Sequence, residues 1–246
     1  MNFRIVIPAR YASSRLPAKA LCEINGKPMV QHVYEQACKS SAQSVVVATE
    51  DSRIVKACEK FGAPVCLTSD KHLTGTDRIA EAVKLLNYAP DDVIVNVQGD
   101  QPFVPYENID QVAHNLILHE SANIATLCER IHDEEDLHNP AMVKVVMDIN
   151  GYALYFSRSL IPWVKNINLH KQIYYKHMGL YAYRAKTIQQ FITWHPSPLE
   201  LSESLEQLRF LYQGEKIHVE SAVKSAPLEV NTLEDLEKIR QLNIIA

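Results

Sequence analysis

Cations and hydroxyls are concentrated in one short segment near the start of the sequence. Arg10, Ser13, Ser14, Arg15 and Lys19 follow the first apolar run. If that run is a strand of an open α/β sheet, its carboxyl end is where such sheets bind ligands. The cations would neutralise a triphosphate and a departing pyrophosphate, while hydroxyls and loop N–H groups donate to phosphate oxygens. A solvated basic loop is the alternative. Neither GxxxxGK[ST] nor GxGxxG occurs, which excludes a Walker A loop.

A second candidate group follows another apolar run. The letters VNVQGDQP at 95–102 place Gly99 and Asp100 directly after it. Mg²⁺ favours one or two carboxylates together with substrate and water oxygens, so Asp100 is a candidate metal ligand. A turn-forming or helix-capping aspartate is the other interpretation. Because Asp100 occurs together with the basic segment from Arg10 to Lys19, the metal role is favoured.

The elements that must position these residues alternate in type. The β-rich runs FRIVIP (3–8), SVVVAT (44–49) and DVIVNV (92–97) are separated by segments with helical periodicity. This alternation predicts parallel strands with crossover helices, an α/β fold of the nucleotide-binding type. A further strand is predicted at 63–68, and a helix from Pro105 to His119, with proline near its start.

The pattern changes after about residue 122. Segments NIATLCER, MVKVVMD, YALYFSR and YKHMGLYAYR predict strands with short connections, and Asn150-Gly151 is a strong hairpin signal. Helices are predicted at 185–194 and 203–213, a strand at 216–222, and a closing helix from about Thr232, where Thr-x-x-Asp resembles a capping box. Because no linker or repeat interrupts the sequence, we expect one domain over 1–246, with an antiparallel portion at about 150–185 for dimerisation and substrate binding.

Composition argues against several functional classes. The 246 residues are 47% apolar, and 29 acidic and 25 basic residues are mixed along the sequence, so no basic stripe for nucleic acid or anionic lipid is evident. The five cysteines include no CxxC pair, which argues against a disulfide framework. The ten histidines form no HExxH motif, which argues against a zinc site. The start MNFRIVIPAR lacks a secretion-signal pattern, and no apolar run approaches about 18 residues. We therefore expect a cytoplasmic protein without a membrane partner.

A family resemblance extends over nearly the whole sequence. The segments that carry it, in order, are IPARYASSRLPAK, INGKPM, TGTDRIAE, VNVQGDQP, NPAMVKVV, GYALYFSR, HMGLYAYR, SPLE, LEQLR and GEKIHV. They resemble the CMP-KDO synthetases, or 3-deoxy-manno-octulosonate cytidylyltransferases. Related sugar-acid cytidylyltransferases and molybdopterin nucleotidyltransferases share the basic loop, but not the later segments.

The resemblance implies a GT-A-like, Rossmann-like fold, Mg²⁺ dependence and a homodimer. It also implies the reaction of CTP with an eight-carbon sugar acid (KDO) to give CMP-sugar and pyrophosphate, for lipopolysaccharide synthesis. By matching position, the CTP side comprises Ala9, Arg10, Ser13, Ser14, Arg15, Lys19, Thr74, Gly75, Thr76 and Arg78. The metal positions are Asp100 and Asn231, and the sugar side comprises Gln98, Arg158, His177, Tyr181, Glu206 and Gln207.

These residue types suit attack of the anomeric hydroxyl on the α-phosphorus, with catalysis by orientation and charge stabilisation. Arg158 could pair bidentately with the sugar carboxylate, and His177 and Tyr181 share a strand face if the strand is regular. A surface ion pair for Arg158 and a half-buried polar contact for His177 are the alternatives.

The sequence departs from the family pattern at three instructive positions. Gln101 replaces the Glu of QGDEP, Ala18 replaces the Gly of LPGKPL, and Asn231 replaces the Asp of VDTPEDL, which is a second metal-binding carboxylate in the family. Loss of that charge should weaken metal attraction. One interpretation is an active enzyme for a modified sugar such as 8-amino-3,8-dideoxy-manno-octulosonate. The others are a catalytically weak nucleotide- or sugar-binding homologue and, less favoured, a GT-A glycosyltransferase, whose DxD-type motif is absent.

Overall fold

Strands and helices alternate through the first half of the chain, as predicted. The computed structural model describes residues 2–12, 16–72, 74–165, 174–225 and 229–241. In chain order the first elements are β1 (Phe3–Pro8), a 3-10 turn (Lys19–Leu21), β2 (Glu23–Ile24), β3 (Lys27–Pro28), α1 (Met29–Ala37), β4 (Ser44–Thr49), α2 (Ser52–Lys60), β5 (Val65–Leu67), α3 (Gly75–Leu85), β6 (Val93–Asn96) and α4 (Tyr106–Leu118).

The second half contains the strands expected there. The elements are β7 (Ile124–Arg130), α5 (Glu134–His138), β8 (Lys144–Met147), β9 (Ala153–Ser157), β10 (Tyr175–Arg184), α6 (Ala185–Phe191), α7 (Pro198–Glu203), α8 (Gln207–Tyr212), β11 (Ile217–Ser221) and α9 (Leu233–Gln241). The single helix predicted at 203–213 is wrong. Ser204 adopts a left-handed conformation with φ 53° and separates α7 from α8.

One sheet unites both halves. Within the described residues its strand order is β11-β7-β10-β6-β1-β4-β5, and β8 joins β10 and β9 at one end. The strands β6, β1, β4 and β5 are parallel, whereas β10 runs antiparallel to both β6 and β7. The α/β fold with an antiparallel insertion is therefore confirmed, and the reversed strand β10 lies directly beside the parallel half.

Side-chain alternation along β1 explains the three-layer packing. Ile5 and Ile7 face a core shared with α1, α2 and α4, whereas Val6 faces a core shared with α3, α6 and α8. Strand residues point alternately to opposite sheet faces, so a buried parallel strand is apolar at every position. Full burial of each such aliphatic side chain contributes roughly 1.5–3 kcal/mol.

A smaller core brings the end of the chain back to the first loop. It joins side chains from the 16–29 segment, Phe103 and α9, with Val230 at its centre. Arg240 donates to the Glu23 carbonyl at 2.9 and 2.7 Å, and the Val230 N–H donates to the Asp100 carbonyl at 3.0 Å. Thr232 and Asp235 form the predicted reciprocal cap of α9. This packing holds residues 229–231 beside Asp100.

The Asn150-Gly151 hairpin is also confirmed. It joins β8 to β9, and Gly151 has φ +80°, a conformation that favours glycine. The Asp148 carboxylate accepts from the N–H groups of Asn150 and Tyr152, both at 2.8 Å. The hairpin tip also contacts β11, where the Val219 N–H donates to the Gly151 carbonyl at 2.7 Å.

Candidate active site

The carboxyl ends of β1 and β6 meet with no room for a side chain between them. A Cβ added at Gly99 would lie 2.8 Å from the Pro8 carbonyl oxygen, so glycine is required for this approach. Gly75, the first residue of α3, packs against the Pro8 ring. Thr74 caps α3 through a capping box with Asp77. The end of β1, the predicted metal residue Asp100 and the start of α3 therefore share one edge of the sheet.

Lys19 and Asp100 form the centre of this edge. The Lys19 Nζ donates to Asp100 Oδ2 at 2.7 Å, and both side chains keep partial solvent access. The Ala18 N–H donates to the Tyr11 carbonyl at 3.2 Å, and Ala18 has the left-handed φ of 54°. Ala18, which replaces the glycine of the family pattern, therefore adopts a backbone conformation that favours glycine.

The predicted residues Ser13, Ser14 and Arg15 lie outside the described residues. Arg10 is exposed, and Ala9 is buried with its N–H bonded to the Ala48 carbonyl at 2.9 Å. Burial, followed by the nearby charge of Arg10, lowers the pKa of Arg78. The positive charge of Arg10 therefore lies near enough to Arg78 to disfavour the protonated form of that side chain.

Arg78 itself has an anchoring role. It is 4% exposed, its Nη2 lies 2.7 Å from Glu50 Oε2, and its Nη1 donates to Thr68 Oγ1 at 2.5 Å. Glu50 Oε1 accepts the Tyr11 N–H at 3.0 Å. A buried charged network thus ties the start of the basic loop to α3. Sequence reasoning missed Glu50, since an acidic residue after a strand carries no distinctive signal.

A polar cluster that sequence reasoning missed lies beside Asp100. The Gln101 Nε2 donates to Glu229 Oε1 at 2.7 Å, and the Asn231 side chain also hydrogen-bonds Glu229. Desolvation, followed by the charge of Asp100, raises the pKa of Glu229. The Gln101 Oε1 is buried and has no hydrogen-bond partner among the described residues. Three oxygen-bearing side chains, those of Gln101, Glu229 and Asn231, therefore lie beside the candidate metal residue Asp100.

The second wall of the site comes from β10. The His177 and Tyr181 rings lie 5.1 Å apart, and His177 Nε2 is 2.9 Å from Thr126 Oγ1. The shared face is confirmed, although β10 is irregular between Met178 and Tyr181. Desolvation lowers the pKa of His177 to about 3, so its ring is neutral at pH 7. The Tyr181 hydroxyl is buried without a partner among the described residues.

Glu206 connects β10 to the start of α3. Its Oε2 accepts from Thr76 Oγ1 at 2.7 Å, and desolvation raises its pKa. Its charge also contributes to the raised pKa of Tyr181, which places the two groups near each other. Gln207 is buried beside it, and Gln98 is partly exposed after β6. The predicted sugar side is thus assembled around β10, except for Arg158.

Arg158 is held apart from this group by the backbone. Its Nε donates to the Glu203 carbonyl at 2.7 Å, Nη1 to the Pro140 carbonyl at 2.9 Å and Nη2 to the Ser204 carbonyl at 3.3 Å. Lys144 fixes the same segment by donating to the Arg158 carbonyl at 2.8 Å. Among the described residues the Arg158 guanidinium contacts backbone carbonyls and forms no ion pair, which was the alternative considered. Pairing with a sugar carboxylate stays a prediction, and it requires these contacts to open.

The donor chemistry around Asp100 suits a hard divalent cation. Mg²⁺ prefers oxygen ligands and commonly takes one or two protein carboxylates, with the remainder from substrate and water. Asp100 and Glu229 supply carboxylates, and Gln101 and Asn231 supply amide oxygens. Among the described residues, no group of three His, Cys, Asp or Glu side chains forms an all-protein metal cage. A bound triphosphate would have to complete the coordination.

Comparison with known proteins places the chain in a family. The family described as Cytidylyltransferase matches residues 4–217. The 3-deoxy-manno-octulosonate cytidylyltransferase of Pseudoalteromonas atlantica is 52% identical over 246 residues, covering 97% of each chain. The protein of the same name from Pseudomonas fluorescens SBW25 is 53% identical over 247 residues, covering 98% of this chain and 97% of the relative.

Solved structures agree with these relatives. A CMP:2-keto-3-deoxy-manno-octonic acid synthetase in complex with CTP superposes with a TM-score of 0.90 at 40% identity, covering 97% of this chain and 96% of that chain. A 4-diphosphocytidyl-2C-methyl-D-erythritol synthase from Anaerococcus prevotii has a TM-score of 0.64 at 15% identity, covering 97% and 95%, which shows a common fold alone. None of the helices described here has the length and apolar character needed to span a membrane.

Proposed function

Because the chain belongs to the 3-deoxy-manno-octulosonate cytidylyltransferase family, we propose that it transfers CMP from CTP to KDO and releases pyrophosphate. The observation that carries the proposal is the Lys19–Asp100 pair, 2.7 Å apart at the sheet edge where β1 and β6 end. Lys19 offers a cation for phosphate and Asp100 offers a carboxylate for a metal ion, and the two side chains are in contact at this edge.

The CTP side is the edge formed by β1, the basic loop and α3. Arg10, Arg15 and Lys19 neutralise the triphosphate, with Ser13 and Ser14 as hydrogen-bond donors. The N-terminus of α3 adds the positive end of its dipole at this edge. Ala9 and the 74–78 segment border the cytidine, while the Glu50–Arg78 pair keeps the loop and helix in fixed relation.

Magnesium is the cation that we assign to this site. Asp100 would hold it with oxygens from Asn231 and its neighbours, and the triphosphate would supply further ligands. When bound, Mg²⁺ neutralises phosphate charge and orients the phosphate groups. Lys19 separately contributes a protein-borne positive charge toward the pyrophosphate that departs.

The sugar acid is assigned to the β10 side. His177 and Tyr181 offer polar groups on one surface, with Glu206, Gln207 and Gln98 around them. The neutral His177 ring and the Tyr181 hydroxyl suit uncharged sugar hydroxyls. The anomeric hydroxyl attacks the α-phosphorus and gives up its proton to solvent. The bond between the α-phosphorus and the oxygen that bridges to the β-phosphorus breaks, and pyrophosphate leaves with that oxygen. The protein's contribution is orientation and charge stabilisation, with no covalent protein intermediate.

The finer substrate proposal concerns carbon 8. We propose that the preferred sugar is 8-amino-3,8-dideoxy-manno-octulosonate, because the amides at Gln101 and Asn231 change the charge pattern around the site. The test compares kcat/KM for KDO and its 8-amino analogue at matched CTP and Mg²⁺ concentrations. Equal or better use of KDO would defeat this proposal while leaving cytidylyl transfer intact.

Assembly and location complete the proposal. We propose a cytoplasmic homodimer that acts in lipopolysaccharide synthesis and contacts the partner copy through the 150–185 portion. Leu154 on β9 is 62% exposed and Trp163 is 79% exposed, an apolar surface beside a strand paired on one side among the described strands. Light scattering of the purified protein at micromolar concentration should give twice the chain mass. A monomer at that concentration would contradict the assignment.

The activity test measures pyrophosphate release from CTP in the presence of KDO or the 8-amino sugar and Mg²⁺. Lys19→Met and Asp100→Asn should each lower kcat by at least about 100-fold, because each removes charge stabilisation at the phosphates. Lys39→Met, at an exposed position after α1, is the control and should behave as the original protein does. CTP binding without pyrophosphate release from either sugar would favour the catalytically weak binding protein.

A further inference from the structure

Glu229 holds an unusual position among the residues around Asp100. Its carboxylate receives Gln101 Nε2 at 2.7 Å and a hydrogen bond from the Asn231 side chain, so two amides bracket one anion. Gln101 and Asn231 are also the two positions where carboxylates of the family pattern are replaced by amides. Both replaced positions, Gln101 and Asn231, therefore contact Glu229, a residue that the family resemblance did not point to.

Electrostatics explains why these residues belong together. A carboxylate accepts hydrogen bonds and cannot donate them, so Glu229 could not be bracketed by carboxylates at 101 and 231 without repulsion. Amides at both positions remove that repulsion and donate N–H groups instead. With Asp100, the cluster then contains two carboxylates, the number that a Mg²⁺ site shared with a nucleotide commonly uses.

Three further observations argue against a purely structural role for this cluster. Glu229 is exposed to solvent, although desolvation by surrounding protein raises its pKa, as expected of a side chain that lines a cleft. Gln101 is 8% exposed, yet its Oε1 has no partner among the described residues. A Cβ at Gly179, between His177 and Tyr181, would lie 3.7 Å from both the Gln101 amide and Glu229. The cluster thus borders both the phosphate and sugar sides.

We propose that Glu229 supplies the second negative charge toward the divalent cation, with Gln101 and Asn231 as the residues that position it. This inference rests on the proposed Mg²⁺-dependent binding of CTP. Under it, the charge absent at position 231 has moved two residues along the same segment, which Val230 anchors to the Asp100 carbonyl at 3.0 Å.

The experiment measures the CTP dissociation constant by calorimetry, with Mn²⁺ as the metal probe and then with chelator, in the absence of sugar. Mn²⁺ should tighten CTP binding by the original protein. Glu229→Gln should reduce this tightening by about tenfold to a hundredfold, the range seen when groups that support a metal site are removed. Without metal, it should bind CTP equally well or more tightly, because an anion near the triphosphate is gone.

Glu229→Gln combined with Asn231→Asp should restore the metal effect, because the charge returns to a neighbouring position. Glu234→Gln is the matched control, since it removes one exposed carboxylate from α9, and it should leave both dissociation constants unchanged. Metal-free CTP binding reports that each variant is folded.

The outcomes separate the two levels of the proposal. If Mn²⁺ does not change CTP binding by the original protein, the proposed metal-dependent function fails. If Mn²⁺ acts on the original protein and equally on Glu229→Gln, the role of Glu229 is refuted while the function stands. Loss of the metal effect without rescue by the double variant would also overturn the proposed charge relocation.

Discussion

The His119–His218 stack should make the fold sensitive to acid. The two imidazole rings lie 3.6 Å apart at 18°, Tyr152 meets both edge-on, and His218 is 4% exposed. Burial, followed by the proximity of His119, lowers the pKa of His218 from 6.5 to about 4. The unfolded chain therefore binds a proton near pH 6.5 that the folded chain takes up only near pH 4.

The sign and size of the effect follow from this difference. The stabilising contribution is present above pH 6.5 and is lost as the pH falls toward 4. At pH 5, the free energy of unfolding should have dropped by about 2 kcal/mol relative to pH 7 from this one group. His218→Phe keeps an aromatic ring in the stack but cannot titrate.

The assay is urea unfolding of the original protein and His218→Phe at pH 7, 6 and 5. The difference in unfolding free energy between them should shift by about 2 kcal/mol in favour of the variant as the pH falls. Tyr152→Phe, which weakens the same cluster without removing an imidazole, should keep the original pH slope. A constant difference between the original protein and His218→Phe from pH 7 to pH 5 would show that His218 does not set the acid sensitivity of the fold.

Three further substitutions test the site's framework. Gly99→Ala places a Cβ 2.8 Å from the Pro8 carbonyl oxygen. It should lower the free energy of unfolding by about 1–3 kcal/mol and kcat by about 100-fold. Unchanged values in urea unfolding and in the pyrophosphate-release assay would contradict the close approach of the two strand ends. Ala18→Gly relieves a φ of 54° and should raise the melting temperature, with a gain of up to about 1 kcal/mol; a fall would argue against strain there. Lys144→Met removes a buried donor from three backbone carbonyls. In urea unfolding it should lower the free energy of unfolding by at least about 3 kcal/mol. A decrease below about 1 kcal/mol would show that the fold does not depend on this ammonium group.

The parallel half of the fold was predictable because its signals are local. Apolar strands at 3–8, 44–49 and 92–97 alternate with helical periodicity, and the ends of such strands must meet at one edge. That reasoning also brought Lys19 and Asp100 to the same edge, where they form an ion pair. The hairpin at Asn150-Gly151 and the cap at Thr232 were predictable for the same reason.

What could not be predicted depends on contacts between distant segments. The insertion of β10 between β6 and β7 is decided by tertiary packing, because an antiparallel strand has the same local pattern wherever it pairs. Glu229 reaches Gln101 only because α9 packs against the 16–29 segment. Arg158 is predicted to pair with a carboxylate, but backbone carbonyls at the end of α7 and at Pro140 accept its N–H groups. The local sequence around these residues does not indicate such long-range contacts.

Cytidylyl transfer to an eight-carbon sugar acid is the reaction proposed for the Lys19–Asp100 edge. Phosphorus NMR of CTP, Mg²⁺ and the sugar acid with purified protein tests it most directly, because substrate, CMP-sugar and pyrophosphate give separate signals. A phosphodiester signal and a pyrophosphate signal should grow equally, and both should be lost in Asp100→Asn. Unchanged CTP with either sugar, or equal turnover by Asp100→Asn, would contradict it.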